Sequence, residues 1–384
     1  MRKRAITRAI ALVSVLAMAL AACGDDDDDT DAGTDTTAAD DGATDVDVED
    51  AAVTLDDECE AAQEEGVTAP EGFRVNLVTD IGRIDDGTFN EFAFEGMVAA
   101  EECFGFETSY IETVSEADYA TNLATTLGND PDVVITNGFL IATDTLDAAE
   151  SNAEVNFIGI DQFHEEFPEN YVGVLFREDQ GGYLAGVLAA SLSESGVVGV
   201  VGGREDVPPV VRFVNAYEAG AKSINPDIRV LSVYNESFTA PDKGASDAAQ
   251  FIGEGADVIF GAGGQTGSGG IAAAAEQGLW AIGVDQDEYF TTFNGGQAAG
   301  SENLATSAVK RVDLAVFRNV VAAMTDSFEG GIYTLEAAND GITYAPFHDA
   351  DIPDDVAEVL EETRQGLADG SIDTGVDPVT GLPN

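Results

Sequence analysis

Between Val75 and Met97 the chain reads VNLVTDIGRIDDGTFNEFAFEGM, which gathers three carboxylates (Asp80, Asp85, Asp86), an aromatic ring (Phe89) and an amide (Asn90) between residues 80 and 90. Such a set accepts hydrogen bonds from hydroxyl and amine donors and offers a face to a flat ring. The same residue types also cap and solvate ordinary turns. A second stretch, Gly261 to Gly267, reads GAGGQTG, and Asp285 follows about where a dinucleotide-binding acid would sit. That spacing fits a Rossmann loop, and so an enzyme, or a glycine turn that lets the backbone approach a ligand closely. Its late position in the chain weighs against the Rossmann reading. A phosphate-binding P-loop is excluded, because Gly270 stands after Gly269 where the lysine is required. No Gly-x-Ser-x-Gly elbow occurs, and His164 and His348 lie far apart in the chain, so hydrolase triads and zinc sites have no support. A glycosidase-type carboxylate pair cannot be singled out among 73 acidic residues.

The elements that must hold these groups are legible from periodicity. Val75–Val78 is a short apolar, β-branched run that reads as a buried strand. Thr88 precedes Glu91 by the capping-box spacing, and Phe94, Met97 and Val98 mark one apolar helix face. Further strands are expected at 108–111, 133–135, 156–160, 172–175, 197–201, 229–233, 258–260 and 281–284, with helices at 118–127, 141–151, 180–192, 210–222, 245–252 and 270–277. Alternation of this kind predicts α/β architecture with parallel sheets flanked by helices. The strands are too many for one lobe, so two lobes are expected. No internal repeat at a fixed period is evident.

The 384 residues are 44% hydrophobic, enough for two cores, and carry a formal charge of −57 from 16 basic and 73 acidic side chains. So negative a chain repels nucleic acid and does not attract anionic solutes. Residues 1–22 form a basic start and an apolar stretch, the pattern of a signal peptide, and end LAA before Cys23, a lipobox whose thiol would carry a lipid. Residues 23–58 are then expected to be the lipid-anchor cysteine and a disordered acidic tether, with no bulky apolar content between Gly24 and Asp50. Cys59 and Cys103 remain as an even pair in an exported chain, and a disulfide between them is expected.

From about Phe73 to Asp369 the chain resembles the basic membrane lipoprotein (BMP) family, solute-binding proteins of ABC transporters whose best understood member is a purine nucleoside receptor. The resemblance rests on Asp80, Gly82, Asp85, Asp86, Thr88, Phe89, Asn90, Glu95 and Gly96, with Arg83 standing where the family usually has glycine. It rests also on the segment from Phe176 to Gly186 and on SAVKRVD from Ser307 to Asp313. It implies a two-lobed type I periplasmic-binding-protein fold with three hinge crossovers. The first lobe would span 73–177 plus about 286–325, and the second 178–285 plus about 326–384. It also implies a cleft in which Asp80, Phe89, Asn90, Asp161, Phe238, Gly263, Gly264, Asp285 and Lys310 contact a purine nucleoside. The implied protein is no enzyme and uses no cofactor or metal. Its partners would be a small-molecule ligand, an ABC permease and, through the anchor, the extracytoplasmic membrane face. Riboflavin binding, or a nucleoside hydrolase in the same cleft, are the alternatives. Replacing the lipobox cysteine, Cys23→Ser, is expected to move the protein from the membrane fraction to the soluble exported fraction, and unchanged retention would exclude Cys23 as the anchor.

Overall fold

The computed structural model describes residues 53–325 and 327–384. The signal peptide, Cys23 and the acidic run after it lie outside the described residues. Helix α1 (Leu55–Glu64) comes first. The first lobe follows with β1 (Arg74–Ile81), α2 (Phe89–Phe104), β2 (Glu107–Thr113), α3 (Tyr119–Leu127), β3 (Val133–Asn137), α4 (Ala142–Ser151), β4 (Asn156–Ile160) and β5 (Tyr171–Phe176). The second is built from α5 (Glu178–Leu192), β6 (Val197–Gly202), α6 (Pro208–Ile224), β7 (Arg229–Tyr234), α7 (Pro241–Gly253), β8 (Val258–Ala262), α8 (Gly264–Ala275), β9 (Trp280–Asp285) and β10 (Leu304–Lys310). The chain then returns through α9 (Val312–Met324) and β11 (Gly331–Leu335), and ends with β12 (Ile342–Tyr344) and α10 (Asp354–Ala368).

Two six-stranded sheets result, ordered β11-β5-β4-β3-β1-β2 and β12-β10-β9-β8-β6-β7. Their inner strands are buried along nearly their whole length, as in β3, β4 and β8, because helices cover both faces. The two orders are the same pattern used twice. The last strand of each differs: β11 runs parallel to β5, whereas β12 runs antiparallel to β10.

This topology corrects the expected lobe boundaries. Residues 304–310 pair with β9 and so belong to the second sheet, not the first. Residues 331–335 pair with β5 and belong to the first sheet, not the second. The chain therefore crosses between lobes at Phe176–Glu178, Lys310–Val312 and after Leu335. The expected tether also ends earlier than residue 58. Thr54 and Asp57 cap α1 reciprocally, Glu58 pairs with Arg318 at 2.6 Å, and the carbonyl of Val53 accepts from Arg311 at 2.7 Å. Cys59 is joined to Cys103 by a disulfide, with Cα atoms 5.9 Å apart, which ties α1 to the end of α2.

Helix pairs next to the crossovers pack at backbone distance. A Cβ on Gly182 would stand 2.3 Å from the carbonyl oxygen of Phe213, and one on Gly186 2.1 Å from that of Tyr217. Gly96 plays the same part in the first lobe, where a Cβ would meet the Asp313 carbonyl at 2.4 Å and so force α2 from α9. Backbone cannot yield as a flexible side chain does, so Gly186→Ala is expected to cost about 1–3 kcal/mol in chemical denaturation. An unchanged midpoint would mean that α5 and α6 are not packed this closely.

Candidate functional site

The carboxyl ends of the parallel strands in both lobes face one cleft, where α/β sheets generally place ligands. The space between the lobes is ≈ 670 Å³, open solvent included, within the range of small-molecule sites. Asp80, Phe89, Asn90, Asp161, Phe238, Gly263, Gly264, Asp285 and Lys310 all line it.

Asp80 ends β1. Its Oδ1 accepts from the Tyr119 hydroxyl at 2.5 Å and from the amide of Ile81 at 2.6 Å. Burial raises its pKa to about 6, against the pull of the Tyr119 hydrogen bond. Gly138 stands so near that a Cβ there would meet Asp80 Oδ2 at 2.1 Å. Asn90 is largely committed within its own lobe. Its Oδ1 accepts from the amide of Asp80 at 2.9 Å and from Asn137 Nδ2 at 3.0 Å, and its Nδ2 donates to Asp86 Oδ2 at 3.0 Å. One N–H of the amide stays free for a ligand.

The start of α2 departs from the expected Thr88–Glu91 capping box. Thr88 makes no side-chain cap, and its Oγ1 is buried without a partner. Asp86 caps instead, with Oδ1 accepting from the amides of Thr88 and Glu91 and Oδ2 from that of Asn90. An ionised carboxylate accepts several such bonds where a hydroxyl accepts one or two, and it also answers the helix dipole. Glu91 turns back to the amide of Gly87 at 2.7 Å. Arg83, at the family's usual glycine, stays exposed and pairs with Asp85 at 2.8 Å.

Asp161 directly follows β4 and Asp285 ends the equivalent strand β9, both with left-handed backbone, at φ 62° and 67°. That conformation turns each carboxylate out of its sheet and into the cleft, and aspartate tolerates it better than most residues. Each belongs to the same short pattern, Gly159-Ile160-Asp161-Gln162 and Gly283-Val284-Asp285-Gln286. The two patterns are a repeat signal in the sequence that no fixed period reveals. Asp285 receives no side-chain hydrogen bond among the described residues. Burial raises its pKa to about 7, with Lys310 pulling the other way.

Lys310 ends β10 and is almost wholly enclosed, at 2% exposure. Its ammonium lies 2.7 Å from Asp161 Oδ2 and 2.8 Å from Glu178 Oε1. It also sits 4.9 and 4.8 Å from the ring centres of Phe89 and Phe176. Burial disfavours its charge, but Asp161, Glu178 and Asp285 outweigh that and hold its pKa above the ordinary lysine value. Asp161 Oδ1 is buried with no hydrogen-bond partner. Sequence reasoning passed over Glu178, which also accepts from Arg212 Nε at 2.6 Å, and the apolar wall of Val207, Pro209, Val210 and Phe213.

Phe89 and Phe238 come from opposite lobes, and Phe238 rests on the backbone of Gly203, where a Cβ would lie 2.3 Å from its ring. The glycine run works mainly through close backbone approach. A Cβ on Gly263 would meet the Gly203 amide nitrogen at 2.5 Å, and Gly264 has φ 56°. Together they bring the start of α8 to the cleft. Across the mouth, Gln286 Nε2 donates to the Thr88 carbonyl at 3.2 Å, Thr291 Oγ1 to that of Gly87 at 2.8 Å, and Arg204 to Glu116 at 2.5 Å. Among the described residues no group of three or more His, Cys, Asp or Glu side chains is placed to hold a metal ion.

Two α/β lobes of matching topology, joined by three crossovers around a lined cleft, define a solute-binding protein. Residues 73–363 match the Bmp family model, described as ABC transporter substrate-binding protein PnrA-like, and the chain belongs to that family. It is 29% identical over 315 residues to the ABC transporter nucleoside-binding protein BmpA of Lactococcus lactis subsp. cremoris, covering 77% of this chain and 87% of that one. It is 33% identical over 266 residues to basic membrane protein A of Borreliella afzelii, covering 67% and 78%. Among solved structures, an ABC transporter solute-binding protein from Aeropyrum pernix K1 superposes with a TM-score of 0.70 at 23% identity, over 78% of this chain and 92% of that one. That likeness speaks for the fold. The family makes the chain the substrate-binding component of an ABC transporter, with a small-molecule ligand and a permease partner.

Raised acid pKa values work against the fold as pH rises. Below about pH 4 the Asp285 carboxyl is protonated both folded and unfolded. Between there and about pH 7 the unfolded chain ionises first, so stability falls, and above about pH 7 the whole penalty is present. Asp285→Asn is therefore expected to stabilise the ligand-free protein on the order of 4 kcal/mol at pH 8 and hardly at pH 4. Urea titrations at the two pH values check this, and an equal effect at both would rule it out.

Proposed function

We propose that the cleft captures a purine nucleoside outside the cytoplasmic membrane, that Cys23 anchors the protein there by a lipid, and that the closed form delivers the ligand to the permease. The observation that carries this reading is the convergence of Phe89 and Phe238, from opposite lobes, on a cleft that also holds Asp161, Asp285 and Lys310. Two rings facing one space suit a flat heterocycle, because stacking needs only a π-face. Asp285 suits a pair of vicinal hydroxyls, each donating to one carboxylate oxygen. Asp161 and the spare N–H of Asn90 offer an acceptor and a donor to the edge of a base. The name of the Lactococcus relative, a nucleoside-binding protein, supports the same choice.

A phosphate has little to bind. Lys310 already faces Asp161 and Glu178, and Asp80, Asp161 and Asp285 surround the space with carboxylates. A free sugar would leave the two rings without a stacking partner. The family's description as substrate-binding proteins supports binding rather than turnover.

Calorimetry with guanosine, inosine, adenosine, their monophosphates, riboflavin and ribose tests the reading. Nucleosides are expected to bind and monophosphates and ribose not to. Phe89→Ala or Phe238→Ala should weaken nucleoside binding by about 1–3 kcal/mol. Binding of a monophosphate or ribose without any nucleoside would overturn the assignment. Riboflavin alone would keep the stacking and change the ligand, and release of free base on incubation would make the protein a hydrolase.

A further inference from the structure

Glu178 is the first residue of α5 and has no exposed surface. Its carboxylate spans two buried cations, with Oε1 2.8 Å from Lys310 Nζ and Oε2 2.6 Å from Arg212 Nε. A buried cation left without a carboxylate is costly, so each of these depends on its partner. Arg212 and Lys310 together hold Glu178 ionised, with a pKa below the usual range although burial works to raise it.

Lys310 has two carboxylates, and they are anchored in different lobes. Asp161 follows β4 of the first sheet, whereas Lys310 ends β10 of the second. Glu178 sits on α5, which is locked against α6 of the second lobe through Gly182 and Gly186. Parting of the lobes therefore takes Asp161 away from the ammonium and leaves Glu178 beside it. The other groups around Lys310 are the Phe89 and Phe176 rings and Asp285, with Arg212 on the far side of Glu178.

We propose that Glu178 is a positioning residue for ligand capture: it holds the Lys310 ammonium toward the open cleft, so that on closure a ligand oxygen can take a place beside Asp161. Glu178 already balances the ammonium, so the ligand oxygen it favours is a neutral hydroxyl or carbonyl rather than a phosphate. The inference deepens the nucleoside reading and rests on it for the choice of probe, but its mechanical part does not need that ligand.

The chain contains four lysines, Lys3, Lys222, Lys243 and Lys310, so lysine-selective 13C and 15N labelling of the full chain isolates the Lys310 signal. In the ligand-free wild type the Lys310 ammonium is expected to titrate above ordinary lysines and to exchange slowly with water. In E178Q its titration should move down, and in E178D, which keeps the charge, it should stay near the wild type. An unshifted Lys310 in E178Q overturns the proposal. So does an ordinary, fast-exchanging Lys310 in the ligand-free wild type, a measurement that needs no variant to fold. With guanosine as probe, E178Q should bind at least about tenfold more weakly. Adding E178Q to K310M should then cost little more, and fully additive losses would overturn the proposal. Failure of the wild type to bind guanosine tells against the nucleoside reading alone, since the lysine measurements decide the role of Glu178 without ligand.

Discussion

A lysine ammonium enclosed between two phenylalanine rings at the junction of two lobes is the constraint on which the arrangement depends. An isolated charge in such a place would be neutralised or would drive the site open to water. Here Asp161 and Glu178 each lie within 2.8 Å of it. To bring them there, the chain must end β4, start α5 and end β10 at one point. The last two are the places where the first two crossovers run, at Phe176–Glu178 and Lys310–Val312. The ion cluster is thus the physical meeting point of the hinge, and among the described residues the cleft's one lining lysine belongs to it.

Each of these crossovers is stiffened by the same device. Arg177 clasps Asp179 through two parallel bonds of 2.7 and 2.8 Å, and Arg311 clasps Asp313 at 2.8 and 2.9 Å. Both pairs stand at the first turn of a helix entering the opposite lobe, where the carboxylate also meets the positive end of the helix dipole. The duplicated forks match the duplicated sheet orders and the twin aspartates with left-handed backbone. A two-fold relation between halves explains why both lobes aim the same kind of group at the same space.

Much of this was legible in the sequence because most of the first nine strands carry short apolar, β-branched runs, and those in the middle of each sheet, such as β1, β4, β6 and β8, are buried on both faces. The residues named for the cleft were legible only in matched family contexts, since an isolated Phe238 or Lys310 reads as core or surface. What escaped has physical causes. Strand β10, LATSAVK, is built of small and polar residues with weak strand preference, and its burial comes from neighbours far away in the chain. Strand β11, GIYTL, is a short edge strand whose alternating exposure leaves only Leu335 fully buried. Missing both displaced the lobe boundaries. The cap on α2 was misassigned because spacing alone cannot tell whether a threonine or the aspartate before it reaches the free amides. Glu178 was hidden because a glutamate at a helix start has a sufficient local explanation as a dipole partner.

Among the described residues, several polar contacts join the two lobes across the cleft. Beyond the Lys310–Asp161 pair they include bonds from Gln286 to Thr88, Thr291 to Gly87 and Arg204 to Glu116. Each is small against the buried cores, and Arg204–Glu116 faces water, where an ion pair adds at most about 1 kcal/mol. Against them stands the desolvation of acids. In this structure Asp161 Oδ1 is buried with no hydrogen-bond partner, and burial raises the Asp80 and Asp285 carboxyls to about 6 and about 7. Bringing lobes together around unanswered acceptors is unfavourable, whereas a ligand that carries hydroxyl or amine donors answers them only when both lobes reach it. A ligand shifts a two-state equilibrium only by its differential affinity for the two states. On the proposed reading that difference lies in the carboxylates, and donor-bearing ligands are expected to favour closure over purely apolar or anionic ones.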